Sequence, residues 1–568
     1  LQPAAESPAG RGEWLLPAMI VLLALLLGFV QMADTDIWWH LHTGQLIWER
    51  GTVPRTDWFT YTNPDSPWID LHWGFQLGAA GLWALGGVPA LVIAKSIVGA
   101  LTFAICLTAQ RPNWPSWHAA ACWLPALLLF AGRYDVRPEM LSLLLFAVTL
   151  TILFHLRARP RLVWLLPVVQ LVWVNVHALF VLGLVLWMLF LIDAALRPFL
   201  PWKSPDSESG PPAWRSWLAA TGLQGAACLL NPYGWEGALF PLVLWSRLQG
   251  PQRTFYQQFA GEFLGFGDFL SQYGFGAVFQ NLSTAMLATM TIATAVSFVL
   301  LARYRQFSVF RALLFVAFGY LAWQANRNGV FYGLAAGGVL RWNVGDLLAK
   351  RPATARQSFP IGKISVAAAL GLLVILTALG ALSPLRLLPG PRFVPVFAEL
   401  GLPPFAVVPR LMGVNETPLW YAHDAARFLR QPGMPRHVFA SHLGHASLCI
   451  YYLGPEKLVF ADPRLEVNTH ETLKRWLQIN DALLSHDPAA ERLLHECGGG
   501  ELPALLIGTA DLWPVREQFF NHPRWQPVYV DPVAVIFLPT EQAEAMNLPR
   551  VEWTSIIVGD EPGREPRD

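Results

Sequence analysis

The sequence predicts an α-helical protein that crosses a membrane many times and carries a soluble α/β domain at its C-terminal end. Of its 568 residues, 54% are hydrophobic and only 14% are charged, and the mean hydropathy is +0.38. Apolar runs of about 18 to 20 residues, the length that crosses the apolar core of a bilayer, recur before residue 390. After that point the composition is that of a soluble domain. We therefore predict a transmembrane domain over 1–389 and an extracytoplasmic α/β domain over 390–568.

The apolar runs predict about eleven transmembrane helices. Their approximate positions are 14–33, 88–109, 118–132, 138–155, 162–176, 178–196, 217–230, 282–301, 311–325, 329–343 and 364–388.

Basic residues are concentrated in alternate connections between these runs, which the positive-inside rule places in the cytoplasm. They are Arg111, Arg157, Arg159, Arg161, Arg197, Lys203, Arg215, Arg303, Arg305, Arg311, Lys350, Arg351, Arg356 and Lys363. The N-terminus is then cytoplasmic, and the other connections and the C-terminal domain face away from the cytoplasm. Since basic residues are confined to short loops of this kind, nucleic-acid partners are excluded.

The C-terminal domain has the pattern of an α/β fold. Short β-prone runs such as 438–440 and 504–507 alternate with amphipathic stretches such as 417–429 and 471–484. No glycine-rich phosphate fingerprint opens any of these helices, so nucleotide binding is not supported. The charged tail after Glu552 is expected to be loosely ordered.

Two aspartates follow the first apolar run, Asp34 and Asp36 in the segment Asp34-Thr35-Asp36. Ionisable groups at the exit of a transmembrane helix are costly and mark candidate functional sites. Carboxylates there can accept a proton from an acceptor hydroxyl, or bind a divalent metal such as Mg²⁺ or Mn²⁺ that neutralises a phosphate. A purely structural role is about equally compatible with the pattern. Tryptophans in the same loop favour helices that lie at the membrane interface.

Three arginines lie in the predicted outer turns and so depart from the orientation pattern: Arg133, Arg137 and Arg327. The planar guanidinium group suits phosphate oxygens. The alternative is that they pair with nearby carboxylates or reach to the interface. Because carboxylates and arginines are predicted on the same membrane face, we favour a shared site. Lys95, inside the second span, either contacts an anion or packs against helix carbonyls.

Further polar residues occur in the first outer loop and at span ends. Asp70 and His72 lie in the loop, and Asn175, His177 and Asn231 end predicted spans. The last three can bind sugar hydroxyls, although bonds to the carbonyls of broken helices are more common.

The cysteines and histidines of the C-terminal domain give weaker evidence of a functional site than the residues above. Cys449 and Cys497 allow a disulfide in an oxidising compartment. His442 and His445 have the spacing of a metal-binding pair, but with no second pair nearby a surface role is favoured.

The order of motifs resembles a group of bacterial multi-pass proteins related to C-type glycosyltransferases. The resemblance extends over nearly the whole chain. One difference is Pro463 in the motif Asp462 to Glu466, at a position where that group has glycine. The motifs are Asp34-x-Asp36-x-Trp-Trp-His-Leu-x-x-Gly44, Pro54-Arg55-Thr56-Asp57, Pro67-Trp68-Ile69-Asp70-Leu71-His72-Trp73, Arg137-Pro138-Glu139, Asn175-Val-His177, Asn231-Pro232-Tyr233-Gly234, Arg327-Asn328 and Asp462-Pro463-Arg464-Leu465-Glu466.

The resemblance implies a membrane glycosyltransferase that uses a polyprenyl-phosphate sugar donor at the extracytoplasmic face of the bacterial inner membrane. Asp34 or Asp36 would act as general base or metal ligand. Arg137 and Arg327 would stabilise the departing phosphate. Asp70 and His72 would contact the acceptor or support the aspartates.

Two alternatives stay open. The chain could be a catalytically inactive scaffold subunit of a larger membrane complex, with protein partners on the C-terminal domain and with its cavity filled by side chains. A transporter would require polar groups near the bilayer midplane and an internal repeat, and neither is evident.

Overall fold

The computed structural model describes residues 14–111, 114, 117–202, 213–259, 261–280, 282–350, 360–378, 412–417 and 419–555. The predicted domain boundary near residue 389 and the tail beyond residue 555 lie outside these residues. The described chain forms two compact units. The first, called the membrane unit, contains 14–31, 89–378 and 412–414. The second, called the α/β unit, contains 32–88 and 415–555, so the first predicted outer loop packs with the C-terminal residues.

The membrane unit is helical. Within the described part of the chain, four helices are long and apolar enough to cross a membrane: Trp73–Thr108, Pro138–Leu156, Ala178–Phe199 and Leu282–Ala302. Shorter apolar helices accompany them, so the chain is a multi-pass membrane protein, and the number of spans stays a prediction. The remaining described helices of this unit that have at least about ten residues are Leu15–Gly28, Trp117–Ala131, Leu165–Val174, Trp214–Leu229, Trp235–Gln249, Val309–Gln324, Gly329–Ala349 and Pro360–Ala378.

Glycines allow two of these helices to pack closely. Helix Gly329–Ala349 is buried over most of its length and lies against Trp117–Ala131. A Cβ atom added at Gly337 would come within 2.6 Å of the Trp123 ring. Small residues at such contacts let helix backbones approach, which is the main way that helices associate within a bilayer.

The loop 250–280 contains only short helical segments. They are Arg253–Phe259, Gly261–Phe263, Phe266–Tyr273 and Ala277–Gln280. The backbone N–H of Asn326 donates to the carbonyl of Leu264 at 2.9 Å. This bond holds the middle of the loop beside the turn Asn326–Asn328.

The α/β unit contains a five-stranded sheet with strand order β2-β1-β3-β5-β4. The strands are β1 (His437–Ala440), β2 (Leu458–Val459), β3 (Ala504–Gly508), β4 (Trp525–Val530) and β5 (Ala534–Pro539). Strand β1 pairs in parallel with β2 and β3, whereas β5 pairs antiparallel with β3 and β4. The helices are His423–Phe428, Leu443–Leu453, His470–Leu484, Ala489–Cys497, Thr509–Leu512, Arg516–Phe520 and Thr540–Ala545. The predicted α/β character of this region is confirmed.

The segment 32–88 supplies part of the core of this unit. Its helix Ile37–Arg50 packs on helix Leu443–Leu453. Trp38, Trp39 and Trp68 are buried, whereas Trp48 is 81% exposed. Of these four tryptophans, only Trp48 is therefore placed for the interfacial role that the sequence predicts.

The structure shows the state of the two cysteines of the α/β unit and a capping role for His442. Cys449 and Cys497 are both free thiols, so no disulfide joins them. The Nδ1 atom of His442 accepts the backbone N–H of Gly444 at 3.1 Å and so caps helix Leu443–Leu453.

Candidate functional site: an arginine cluster and two aspartates

Three arginines of the membrane unit converge on one carboxylate. Arg133 and Arg137 lie on the turn before helix Pro138–Leu156, and Arg327 lies in the turn Asn326–Asn328. The carboxylate is that of Glu262, in the loop 250–280. With Glu139 these residues are called the arginine cluster.

Distances within the cluster separate two hydrogen bonds, both from Arg133, from two longer ion pairs. Arg133 donates to Glu262 at 2.9 Å and to Glu139 at 2.5 Å. The nearest guanidinium nitrogens of Arg137 and Arg327 lie 3.7 Å and 3.6 Å from Glu262 oxygens. The latter are ion pairs beyond ordinary hydrogen-bond length.

The charges of the cluster are balanced only while Glu262 is in place. Three guanidinium groups face the carboxylates of Glu262 and Glu139, and the carboxylate of Asp135 also acts on Arg133, so the formal net charge is 3 − 3 = 0. Burial alone would raise the pKa of Glu262, but Arg133, Arg137 and Arg327 outweigh it and hold that pKa well below its usual value. Glu262 is therefore ionised at neutral pH.

Lys95 holds the turn that carries Arg133 and Arg137. Its Nζ donates to the carbonyl oxygens of Val30 at 2.9 Å and Tyr134 at 3.2 Å. The Tyr134 hydroxyl in turn donates to the carbonyl of Ala24 at 2.5 Å. Packing of Lys95 against carbonyls was one of the two predicted roles.

The two aspartates lie in the α/β unit and have different surroundings. Asp34 is 2% exposed. Its Oδ1 accepts the backbone N–H of Asp36 at 3.1 Å, and its carbonyl accepts the Tyr421 hydroxyl at 2.8 Å. Asp36 precedes helix Ile37–Arg50, and its side chain does not cap that helix. Asp34 thus shapes the turn, and Asp36, which is partly exposed, is the more accessible of the two.

Asp70 and His72 lie together in the same unit. Asp70 Oδ1 accepts the backbone N–H of His72 at 3.0 Å and the amide of Gln76 at 3.1 Å. The His72 ring nitrogen Nδ1 lies 3.4 Å from Asp70 and 3.7 Å from Glu466. Burial lowers the pKa of His72, but Asp70, Glu466 and Asp36 outweigh it and leave that pKa above its usual value.

We expect His72 to make the stability of the protein depend on pH. A histidine whose pKa is raised by folding stabilises the fold fully below its unfolded pKa of about 6.5. That contribution is lost as the pH rises through the higher folded pKa. The melting temperature of His72→Gln relative to the natural protein, measured from pH 5.5 to 8.5, should therefore differ most at the acidic end. A constant difference across this range would contradict the expectation.

The predicted polar residues at span ends bond to the protein itself. The Asn175 amide donates to the carbonyls of Leu171 and Leu230, each at 2.9 Å. The ring of His177 bonds to the hydroxyl of Ser142 at 2.7 Å. The Asn231 amide donates to the carbonyl of Gly234 at 2.8 Å and shapes a turn. The asparagine amides thus bond to main-chain carbonyls, whereas the histidine bonds to a side-chain hydroxyl.

The motif that ends in Glu466 contains a buried ion network. Arg464 donates to Asp57 at 2.7 Å and to Asp462 at 2.5 Å, and all three side chains are fully buried. The Arg464 guanidinium also stacks over the Trp68 ring, 4.4 Å from its centre. This network joins segment 32–88 to the C-terminal residues of the α/β unit.

A metal site is not assembled within either unit. Among the described residues, no three His, Cys, Asp or Glu side chains are close enough together to hold a metal ion. Asp34 already directs one oxygen to the backbone of Asp36.

Glu262 was not predicted from the sequence. Arg133 was predicted as one of three arginines suited to phosphate, but only Arg137 and Arg327 were given a role at the leaving phosphate. Glu262 is one of three acidic residues in the predicted outer loop 231–281, with Glu236 and Asp268, and nothing in the sequence distinguishes it from them.

Comparison with solved structures identifies the fold. No family model and no curated protein sequence matches the chain. It is similar to the archaeal oligosaccharyltransferase AglB from Archaeoglobus fulgidus, solved with an inhibitory peptide and a dolichol-phosphate. The TM-score is 0.50 at 12% identity, over 91% of this chain and 73% of that chain. This likeness shows a shared fold, in agreement with the C-type glycosyltransferase fold that the sequence resemblance predicts.

ArnT from Cupriavidus metallidurans is a further similar structure. Bound to undecaprenyl phosphate, it has a TM-score of 0.44 at 14% identity, over 93% of this chain and 98% of that chain. In the apo state the TM-score is 0.48 at the same identity and coverage.

Proposed function

We propose that this protein is a membrane glycosyltransferase that moves a sugar from a polyprenyl-phosphate donor to an acceptor at the extracytoplasmic face. The observation that carries the proposal is the arginine cluster, in which three guanidinium groups surround one carboxylate. Such an arrangement is suited to the oxygens of a phosphate group. The fold supports the same class, because AglB was solved with a dolichol-phosphate.

Sugar transfer requires stabilisation of the leaving phosphate. The acceptor oxygen forms a bond to the anomeric carbon of the sugar as the bond from that carbon to the phosphate oxygen breaks. The phosphate keeps the electron pair, and its negative charge increases. Arg137 and Arg327 would stabilise that charge as it develops.

The acceptor must also lose a proton. We assign this step to Asp36, which would accept the proton of the acceptor hydroxyl as general base. Asp34 would hold Asp36 in place through the bond to its backbone N–H. Asp70 and His72 would contact the acceptor or support Asp36.

The location and partners follow from the sequence pattern. We place the protein in the bacterial inner membrane, with its N-terminus in the cytoplasm and the α/β unit in the periplasm or outside the cell. Its partners would be the lipid-linked sugar, an acceptor and the bilayer, with further protein partners on the α/β unit. Dependence on Mg²⁺ or Mn²⁺ is a separate proposal, tested by assay after chelation with EDTA.

We expect Arg327→Ala to weaken donor use strongly. Removal of one preorganised contact to a developing charge costs about 10²- to 10³-fold in turnover. The measurement is transfer from a panel of undecaprenyl-phosphate sugars by the full chain in nanodiscs. Arg427→Ala is the matched control, because Arg427 forms an exposed pair with Asp424 in the α/β unit. Equal turnover of Arg327→Ala and the natural protein would refute the assignment.

The inactive scaffold is a second candidate, favoured by one observation. Glu262 already fills the arginine cluster, as expected of a site blocked by its own side chains. A scaffold would show neither turnover nor binding of undecaprenyl phosphate under any of these conditions.

A further inference from the structure

The arginine cluster in this structure is occupied by an anion that belongs to the chain. Glu262 is held by one hydrogen bond from Arg133 and by looser ion pairs to Arg137 and Arg327. One carboxylate has two oxygens and cannot form a two-pronged contact with three guanidinium groups at once. A phosphate group offers more oxygens and more charge to the same three donors.

The supports of the arginines and of Glu262 differ in rigidity. Arg137 directly precedes the long helix Pro138–Leu156, and Arg327 lies in the turn Asn326–Asn328, which directly precedes the helix Gly329–Ala349. Glu262 lies on the three-residue turn Gly261–Phe263, and the following helix Phe266–Tyr273 buries none of its residues. Segments with few buried contacts open at low cost in free energy.

Glu262 is also accessible. Its side chain is 30% exposed, against 16% for Arg133. An incoming phosphate could therefore reach the guanidinium groups as the carboxylate turns outward, without unpacking the helices that carry them.

We propose that Glu262 competes with the lipid phosphate for the arginine cluster, leaves it when the donor binds, and returns to help expel the product. This inference rests on the proposed function. With Glu262 withdrawn, the formal charge of the cluster together with Asp135 changes from 0 to +1. The sugar-linked phosphate carries about one negative charge, whereas the released polyprenyl phosphate carries about 1.5 to 2. The arginines would hold this product more tightly than the donor, and the returning carboxylate offsets that preference.

The test is binding of undecaprenyl phosphate to the full chain in nanodiscs. We expect Glu262→Gln to bind this lipid about tenfold more tightly than the natural protein does, since the competing charge is gone and the side chain keeps its shape. Binding of uncharged undecaprenol should not change. Unchanged or weaker binding of undecaprenyl phosphate would refute the proposal and would make Glu262 a structural support of the arginines.

Two controls separate this inference from the proposed function. Asp268→Asn removes a negative charge from the same loop, where Asp268 faces Arg253 at 3.7 Å and not the cluster, and should leave binding unchanged. Arg327→Ala should weaken binding in both the natural and the Glu262→Gln backgrounds. If Arg327→Ala weakens binding but Glu262→Gln does not strengthen it, the competition alone is refuted. No effect of Arg327→Ala would refute the donor site and the competition together.

Discussion

Replacing Asp36 by Asn is expected to abolish sugar transfer while the folded protein is retained. The substitution keeps the shape of the side chain and removes its ability to accept a proton. Loss of a general base lowers the rate by about 10²- to 10⁴-fold. The helix that follows should be unaffected, because the Asp36 side chain does not cap it. The measurement is turnover together with the melting temperature.

Two further aspartates serve as controls for this result. Asp34→Asn keeps an oxygen that can accept the backbone N–H of Asp36, so the turn should persist with a smaller loss of turnover. Asp65 is exposed and has a φ of 57°, which asparagine tolerates. The variant Asp65→Asn should therefore keep the turnover and the melting temperature of the natural protein. Full activity of Asp36→Asn alongside an inactive Asp34→Asn would transfer the role of base to Asp34.

Replacing Arg464 by Met is expected to destabilise the α/β unit severely. The change leaves the carboxylates of Asp57 and Asp462 buried without their cation. Breaking a buried ion pair in this way costs about 3–5 kcal/mol. For a unit of this size the melting temperature should fall by roughly 10 °C or more.

A triple variant tests whether the uncompensated charge is the cause. Asp57→Asn and Asp462→Asn added to Arg464→Met remove the buried carboxylates and should recover part of the loss. The exposed pair of Arg427 and Asp424 provides the contrast, and Arg427→Ala should change stability by less than about 1 kcal/mol. A fall in melting temperature as small as that of Arg427→Ala would show that the network contributes little.

The fold class could be predicted because apolar runs and basic loops are local properties of the sequence. The ends of individual helices could not be predicted in this way. Helix Gly329–Ala349 continues beyond the predicted span 329–343, past the charged Asp346. That carboxylate is neutralised by the buried Arg311 at 2.7 Å, a partner from another helix.

The packing of segment 32–88 with the C-terminal residues was not predictable for a similar reason. Arg464 and Asp57 are 407 residues apart in the chain. Each residue belongs to a sequence motif that the resemblance identifies. Neither motif, however, indicates that Asp57 and Arg464 contact each other. The contact of Glu262 with the arginines could not be predicted for another reason. Its loop has no regular periodicity, and the arginines around it come from two separate turns.

The Lys95 contact has an implication for how this chain can evolve. Lys95 binds the main-chain oxygens of Val30 and Tyr134, and every residue type carries such an oxygen. Substitution at position 30 would therefore leave this contact in place, and the pair would produce no correlated changes among descendants. A support of the arginine-bearing turn can thus persist while remaining invisible to methods that infer contacts from covariation.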